Sequence, residues 1–146
     1  MPSPYTHILA PVDSSAQAQT AFTEAVNIAQ RHHAQLTALY VVDDRAYHTP
    51  ALDPVLNKLL EAEANHAHAD MRDRQRFVAT TTVPQFYVEV AYGNPKRLIE
   101  AYAKQHSDID LIVIGATGKD SPHRVAVGST TSYVVDQAPC NVLVIR

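Results

Sequence analysis

Five short aliphatic runs, near residues 7–12, 35–42, 84–90, 110–114 and 141–145, alternate with stretches whose apolar residues recur every three or four positions. Few folds accept that alternation. The stretches between runs are too long for tight hairpins and suit helical crossovers, so the strands should run parallel with helices packed on both faces of the sheet. An α/β chain built this way is the expected fold class.

The local signals set the elements. Ser14 or Ser15 offers a cap after the first run, and Ala18, Ala21, Phe22, Ala25, Ile28 and Ala29 then share a face, predicting a helix to about His32. Residues 43–54 carry two prolines and mixed polarity and read as a loop. Leu52, Val55, Leu56 and Leu59 open a long amphipathic helix, and its charged run from Asp70 to Arg76 reads as a solvated end that complements the helix dipole. Gly93-Asn94-Pro95 supplies a stop, a cap and a first-turn proline for a helix that turns Leu98, Ile99, Tyr102 and Ala103 inward. Residues 129–137 form the last helix, ended by Pro139.

Composition narrows the class. A chain of 146 residues with 46% apolar and 18% charged residues reads as one globular domain over residues 1–146. It holds no apolar run of the roughly 20 residues that a membrane helix needs, and its N-terminal residues lack the pattern of a secretory leader. Cys140 is the only cysteine, which excludes an internal disulfide and fits the cytoplasm. A formal net charge of −3 argues against nucleic acid as a partner, although local N–H donors would still accept an anion. The eight histidines do not share helix faces in metal-binding sets, so surface histidines are the expectation.

One segment carries chemistry. A buried-strand run at residues 111–114 opens into Gly115-x2-Gly118, nine residues follow, and Gly128-Ser129 stands at a helix start. Glycine permits positive φ and close approach of the backbone to an anion, so Gly115 and Gly118 could turn bare N–H groups inward. Gly128, Ser129 and Thr130 would add donors at the positive end of a helix dipole. Arg124, with His123 and Lys119, could fork onto phosphate oxygens from the intervening loop. Asp13, at the end of the first run, could bond a ribose or base, or help hold Mg²⁺, which takes one or two carboxylates along with phosphate oxygens.

The two-part glycine spacing in its strand-to-helix context, together with the first turn Pro11-Val12-Asp13-Ser14-Ser15, resembles the universal stress protein family over nearly the whole chain. That resemblance implies an open five-stranded parallel sheet in the order 3-2-1-4-5, of the adenine nucleotide alpha hydrolase-like, Rossmann-like kind. Ligands of such sheets bind beyond the C-terminal strand ends where the order reverses, between strands one and four. Pro11, Val12, Asp13, Gly115, Ala116, Thr117 and Gly118 would lie there, and the family pattern carries an adenine-lining backbone role onto Val41. The likeness further implies ATP as ligand, with Mg, and a homodimer formed through the last strand, Asn141 to Ile145. Family members without nucleotide lose these glycines, whereas this chain keeps all three.

No GxxxxGK[ST] loop, HxGH pair or SGGxDS loop occurs, so any ATPase activity should be weak. A nucleotide-dependent stress-response regulator or sensor is therefore the leading expectation. Two others stand beside it: a slow ATP hydrolase or self-phosphorylating protein using Ser129, Thr130 or Thr131, and an interaction module with AMP or no nucleotide bound.

Overall fold

The strand β1 (His7–Val12) is buried along its whole length, because it lies in the middle of the sheet with helices on both faces. In the computed structural model, which describes residues 5–45, 54–118 and 126–146, it is followed by α1 (Ala16–His32), β2 (Gln35–Val42), α2 (Pro54–Ala79) and β3 (Phe86–Tyr92). Then come α3 (Pro95–Gln105), β4 (Leu111–Gly115), α4 (Ser129–Gln137) and β5 (Asn141–Ile145). The strands are all parallel in the order β3-β2-β1-β4-β5, as the resemblance implied. No helix among the described residues is long and apolar enough to cross a membrane.

Side-chain alternation along the strands divides the core into two layers. Ile8, Ala10, Val12, Leu36, Ala38, Leu111 and Val113 meet Phe22 and Val26 of α1 and Met71 and Val78 of α2 on one face. Leu9, Leu39, Ile112 and Ile114 meet Ile99 and Ala103 of α3 and Val134 of α4 on the other.

Helix α1 starts where Asp13 Oδ1 accepts the Ser15 N–H at 2.8 Å, and Ser15, in extended conformation, accepts the Ala18 N–H at 3.0 Å. Ser15 is thus the cap, not Ser14. The helix ends at His33, held in the left-handed region at φ 53°.

Several sequence expectations are corrected by packing. The charged run is not uniformly solvated: Arg74 is buried, donates to Asp70 Oδ2 at 2.9 Å and to Gln19 Oε1 at 3.0 Å, and lies 4.6 Å over the Phe22 ring. Conversely Val55 and Leu59 are exposed, since the inward stripe of α2 runs instead through half-buried Leu60 and buried Ala67, Met71 and Val78. Leu52 and the rest of residues 46–53 lie outside the described residues.

His7 is not a surface histidine. It is buried at the start of β1, with Nδ1 2.8 Å from Asp108 Oδ2 and Nε2 2.8 Å from Thr37 Oγ1. A polar group on this doubly covered strand needs such partners.

Strand β3 sits two residues later than the apolar run suggested. Val41↔Ala91 and Val42↔Tyr92 extend the pairing, and Gly93, at φ 148°, then ends it while donating its N–H to Val42. Strand β4 starts one residue late, since the Asp110 carboxylate accepts the Thr6 and His7 N–H groups. Asn94 occupies the cap position of α3 but makes no side-chain cap bond.

Two outcomes are expected. Arg74→Leu, which strands Asp70 and Gln19, should lower unfolding free energy by about 1–3 kcal/mol in a urea titration. Asp108 is held below its ordinary value chiefly by its hydrogen bond from His7. A depressed carboxyl stabilises the fold above its unfolded value and ceases to do so as pH falls through the folded one. Asp108→Asn should therefore flatten the loss of stability below about pH 4, as followed by circular dichroism.

Candidate functional site

Strands β1 and β4 pair only at Ile8↔Leu111 and Leu9↔Ile112. Past those residues β1 stays with β2 through Val12↔Tyr40, while β4 stays with β5 through Gly115↔Ile145. The sheet therefore opens at its C-terminal edge, at the point where strand order reverses. A crevice of about 240 Å³ fills the gap. Pro11, Val12 and Asp13 line one wall, Gly115, Thr117, Gly118 and the start of α4 line the other, and Leu39, Val41, Pro95 and Ile99 form an apolar floor.

The turn after β4 is held from three elements. Gly115 C=O accepts the Thr131 hydroxyl at 2.6 Å, Ala116 N–H donates to Ile145 C=O at 2.7 Å, and Ala116 C=O accepts Gly128 N–H at 2.6 Å. Thr117 N–H donates to Gln17 Oε1 at 2.8 Å. Gln17 was not anticipated, because nothing in the sequence links the first turn of α1 to a loop 100 residues away.

These bonds revise the expected donor sets. Ala116 is buried, does not line the crevice and has both backbone groups committed. The Gly128 N–H is spent on Ala116, and the Thr117 N–H on Gln17. Thr131 borders the crevice, but its hydroxyl is buried against Gly115. Gly128 is itself the N-cap of α4 and has no side chain to cap with, so Ser129 is the first helical residue rather than the cap. The N–H groups of Gly118, Ser129 and Thr130 meet no acceptor among the described residues, consistent with a helix start that lacks internal partners.

The glycines also differ from expectation in physical reason. Neither Gly115 nor Gly118 has positive φ; among the described glycines only Gly93 does. A Cβ on Gly115 would stand 3.2 Å from the Gln17 backbone, and one on Gly118 would stand 2.7 Å from Asp13 Oδ2. Gly115 lets α1 pack on the end of β4, and Gly118 makes room for the Asp13 carboxylate.

At the other end of the crevice, odd-numbered residues of β2 direct their backbone groups toward β1, as Gln35 N–H to Thr6 C=O shows, while even-numbered ones face β3. The Val41 carbonyl thus faces the gap left where β1 stops at Val12. Asp43 and Arg45 lie beside it as a forked ion pair at 2.9 and 2.7 Å, which raises the Arg45 pKa above its usual value.

Arg124, His123 and Lys119 lie outside the described residues. Among the described residues no group of three histidine, cysteine or carboxylate side chains could hold a metal alone. Cys140 is half-buried, and burial pushes its thiol pKa up.

The sequence model of the universal stress protein family matches residues 4–146. A protein named as a universal stress protein in Staphylococcus epidermidis is 34% identical over 97% of this chain and 84% of its own. The solved universal stress protein UspA from Lactobacillus plantarum is 73% identical with a TM-score of 0.94, covering 99% of this chain and 100% of its own. Two remoter structures share the fold. One, described as a universal stress protein in complex with cAMP, is 19% identical with a TM-score of 0.69, covering 99% of this chain and 98% of its own. The other, from Arabidopsis thaliana with AMP bound, is 15% identical with a TM-score of 0.63, covering 96% of this chain and 90% of its own.

The two glycine contacts separate experimentally. Gly115→Ala presses a methyl group onto helix backbone and should lower stability by about 1–3 kcal/mol, whereas Gly118→Ala displaces only a side-chain carboxylate and should leave the melting temperature within a few degrees of the parent's. Paired thermal melts would check both.

Proposed function

This chain belongs to the universal stress protein family, and we propose that its crevice binds ATP as a magnesium complex, making the protein a nucleotide-dependent regulator or sensor in the cytoplasm. The observation that carries this reading is the uncapped start of α4, where Ser129 and Thr130 present N–H groups without an acceptor among the described residues, on the same crevice wall as Gly118. Such a helix start attracts phosphate through its donors and its dipole together.

The other lining residues support a reading of the rest of the ligand. Val41 offers its carbonyl to the edge of an adenine, and Leu39, Pro95 and Ile99 offer apolar surface to its face. The cAMP and AMP complexes of the two remoter structures support an adenine nucleotide as the ligand class. Pro11 and Val12 would flank the ribose, and Gly115 and Thr117 shape the wall against which the phosphates run. Arg124 remains a proposed phosphate partner from the sequence.

The residues present fit a magnesium ion. Asp13 brings a carboxylate to the phosphate end, into space that a Cβ on residue 118 would fill, and Mg²⁺ is commonly held by one carboxylate together with substrate phosphates. When bound, the ion would neutralise phosphate charge beside that carboxylate. Asp13 Oδ1 already accepts the Ser15 N–H, which favours a binding role over that of a general base and supports slow turnover at most.

We further propose a homodimer formed through β5. It is an edge strand with Leu143 exposed, and an unpaired apolar edge is stabilised by pairing with a second copy.

Calorimetric titration of nucleotide-free protein with ATP, ADP and AMP, with and without Mg²⁺, should show micromolar ATP binding that exceeds AMP binding and strengthens with the ion. Gly118→Val should abolish it with the fold retained, by driving Asp13 into the phosphate path; unchanged affinity would overturn the assignment. Light scattering after size exclusion should give twice the 16.0 kDa chain mass, and a monomer would remove the dimer claim.

A further inference from the structure

Gln17 touches the crevice wall without belonging to it. Its Oε1 accepts the Thr117 N–H at 2.8 Å, its backbone lies 3.2 Å from where a Gly115 Cβ would stand, and it is absent from the crevice lining while Thr117 is part of it. The Thr117 N–H is therefore drawn out of the crevice toward α1. Were Gln17 merely occupying a donor meant for phosphate, its amide would have to reach that donor from the ligand side, and it does not.

From this geometry we infer that Gln17 is a positioning residue for the polyphosphate end of the site. The inference rests on the nucleotide reading above. The bond fixes the peptide plane joining Ala116 and Thr117, whose carbonyl side is already fixed by Gly128. With that plane held at both ends, only the two Thr117 dihedrals are left to set the next N–H, that of Gly118, which narrows its range relative to the Ser129 and Thr130 donors. A clamp whose two halves are oriented before binding loses less freedom when the ligand arrives. Because α1 also carries the Ser15 turn that holds Asp13, one helix start sets both the carboxylate and the glycine loop.

The test uses Gln17→Leu, which keeps bulk and helix propensity but removes the acceptor, and Gln17→Glu, which keeps an acceptor. In the ligand-free protein, Thr117 amide exchange followed by NMR should accelerate about tenfold in Gln17→Leu and return toward the parent rate in Gln17→Glu. ATP affinity of Gln17→Leu should fall about fivefold to tenfold, while adenosine, which has no phosphates, binds as tightly as to the parent. A purely structural role would weaken both ligands together, and that result, or an ATP affinity equal to the parent's, overturns the inference. If the parent binds neither ATP nor adenosine, the nucleotide reading itself fails. The exchange rates then still decide the bond: acceleration in Gln17→Leu supports it and an unaltered rate refutes it.

Discussion

The parting of β1 from β4 after Leu9 and Ile112 is the constraint on which the site depends. Two central strands that diverge leave backbone edges unpaired, and the chain can end them only by turning into helices on opposite faces. Helix α1 leaves β1 toward one layer and α4 packs in the other, so both helix starts come to the same opening. They are not equivalent. Ser15 and Asp13 satisfy donors at the start of α1, whereas α4 begins with a glycine that has no side chain to do so. The Ser129 and Thr130 donors of α4 are left without an acceptor among the described residues, and they border the crevice.

The loop after β4 is ordered by long-range bonds rather than by its own sequence. Ile145, Gly128, Thr131 and Gln17 each supply one partner to residues 115–117. A hydrogen bond of this kind contributes about 0.5–1.5 kcal/mol net, so the four together can hold a short turn against its conformational entropy. The Ile145 bond joins this loop to the edge strand β5, and any pairing of that edge would bear on the strand that steadies the loop.

Much of the fold was legible because its periodicities are strong. The bounds of β1, β2, α4 and β5 follow directly from apolar runs and their punctuation. Other features were not, and each for a physical reason. Arg74 looks like one more charge in a solvated run, and only the approach of α1 shows that its guanidinium covers Phe22. His7 reads as one of eight histidines until the strand order sets it between Thr37 and Asp108. Val55 and Leu59 obey helical spacing, yet it is Leu60, Ala67 and Met71 that α2 turns to the core, which leaves them exposed.

At the site, the residue types singled out in the sequence, a glycine pair, a second glycine at a helix start and Asp13 at the end of the first strand, all border one crevice. Their division of labour could not be read in the same way. Whether an N–H is open or spent depends on acceptors distant in sequence, as Gly128 and Thr117 show with Ala116 and Gln17. Whether a glycine serves conformation or clearance depends on what lies across from its missing Cβ, as Gly115 and Gly118 show with Gln17 and Asp13. Local sequence determined which elements form and which chemistry gathers at their ends, because those follow from nearest neighbours along the chain. Tertiary packing alone decided which donors stay free, because satisfying a hydrogen bond requires two groups that only the fold brings together.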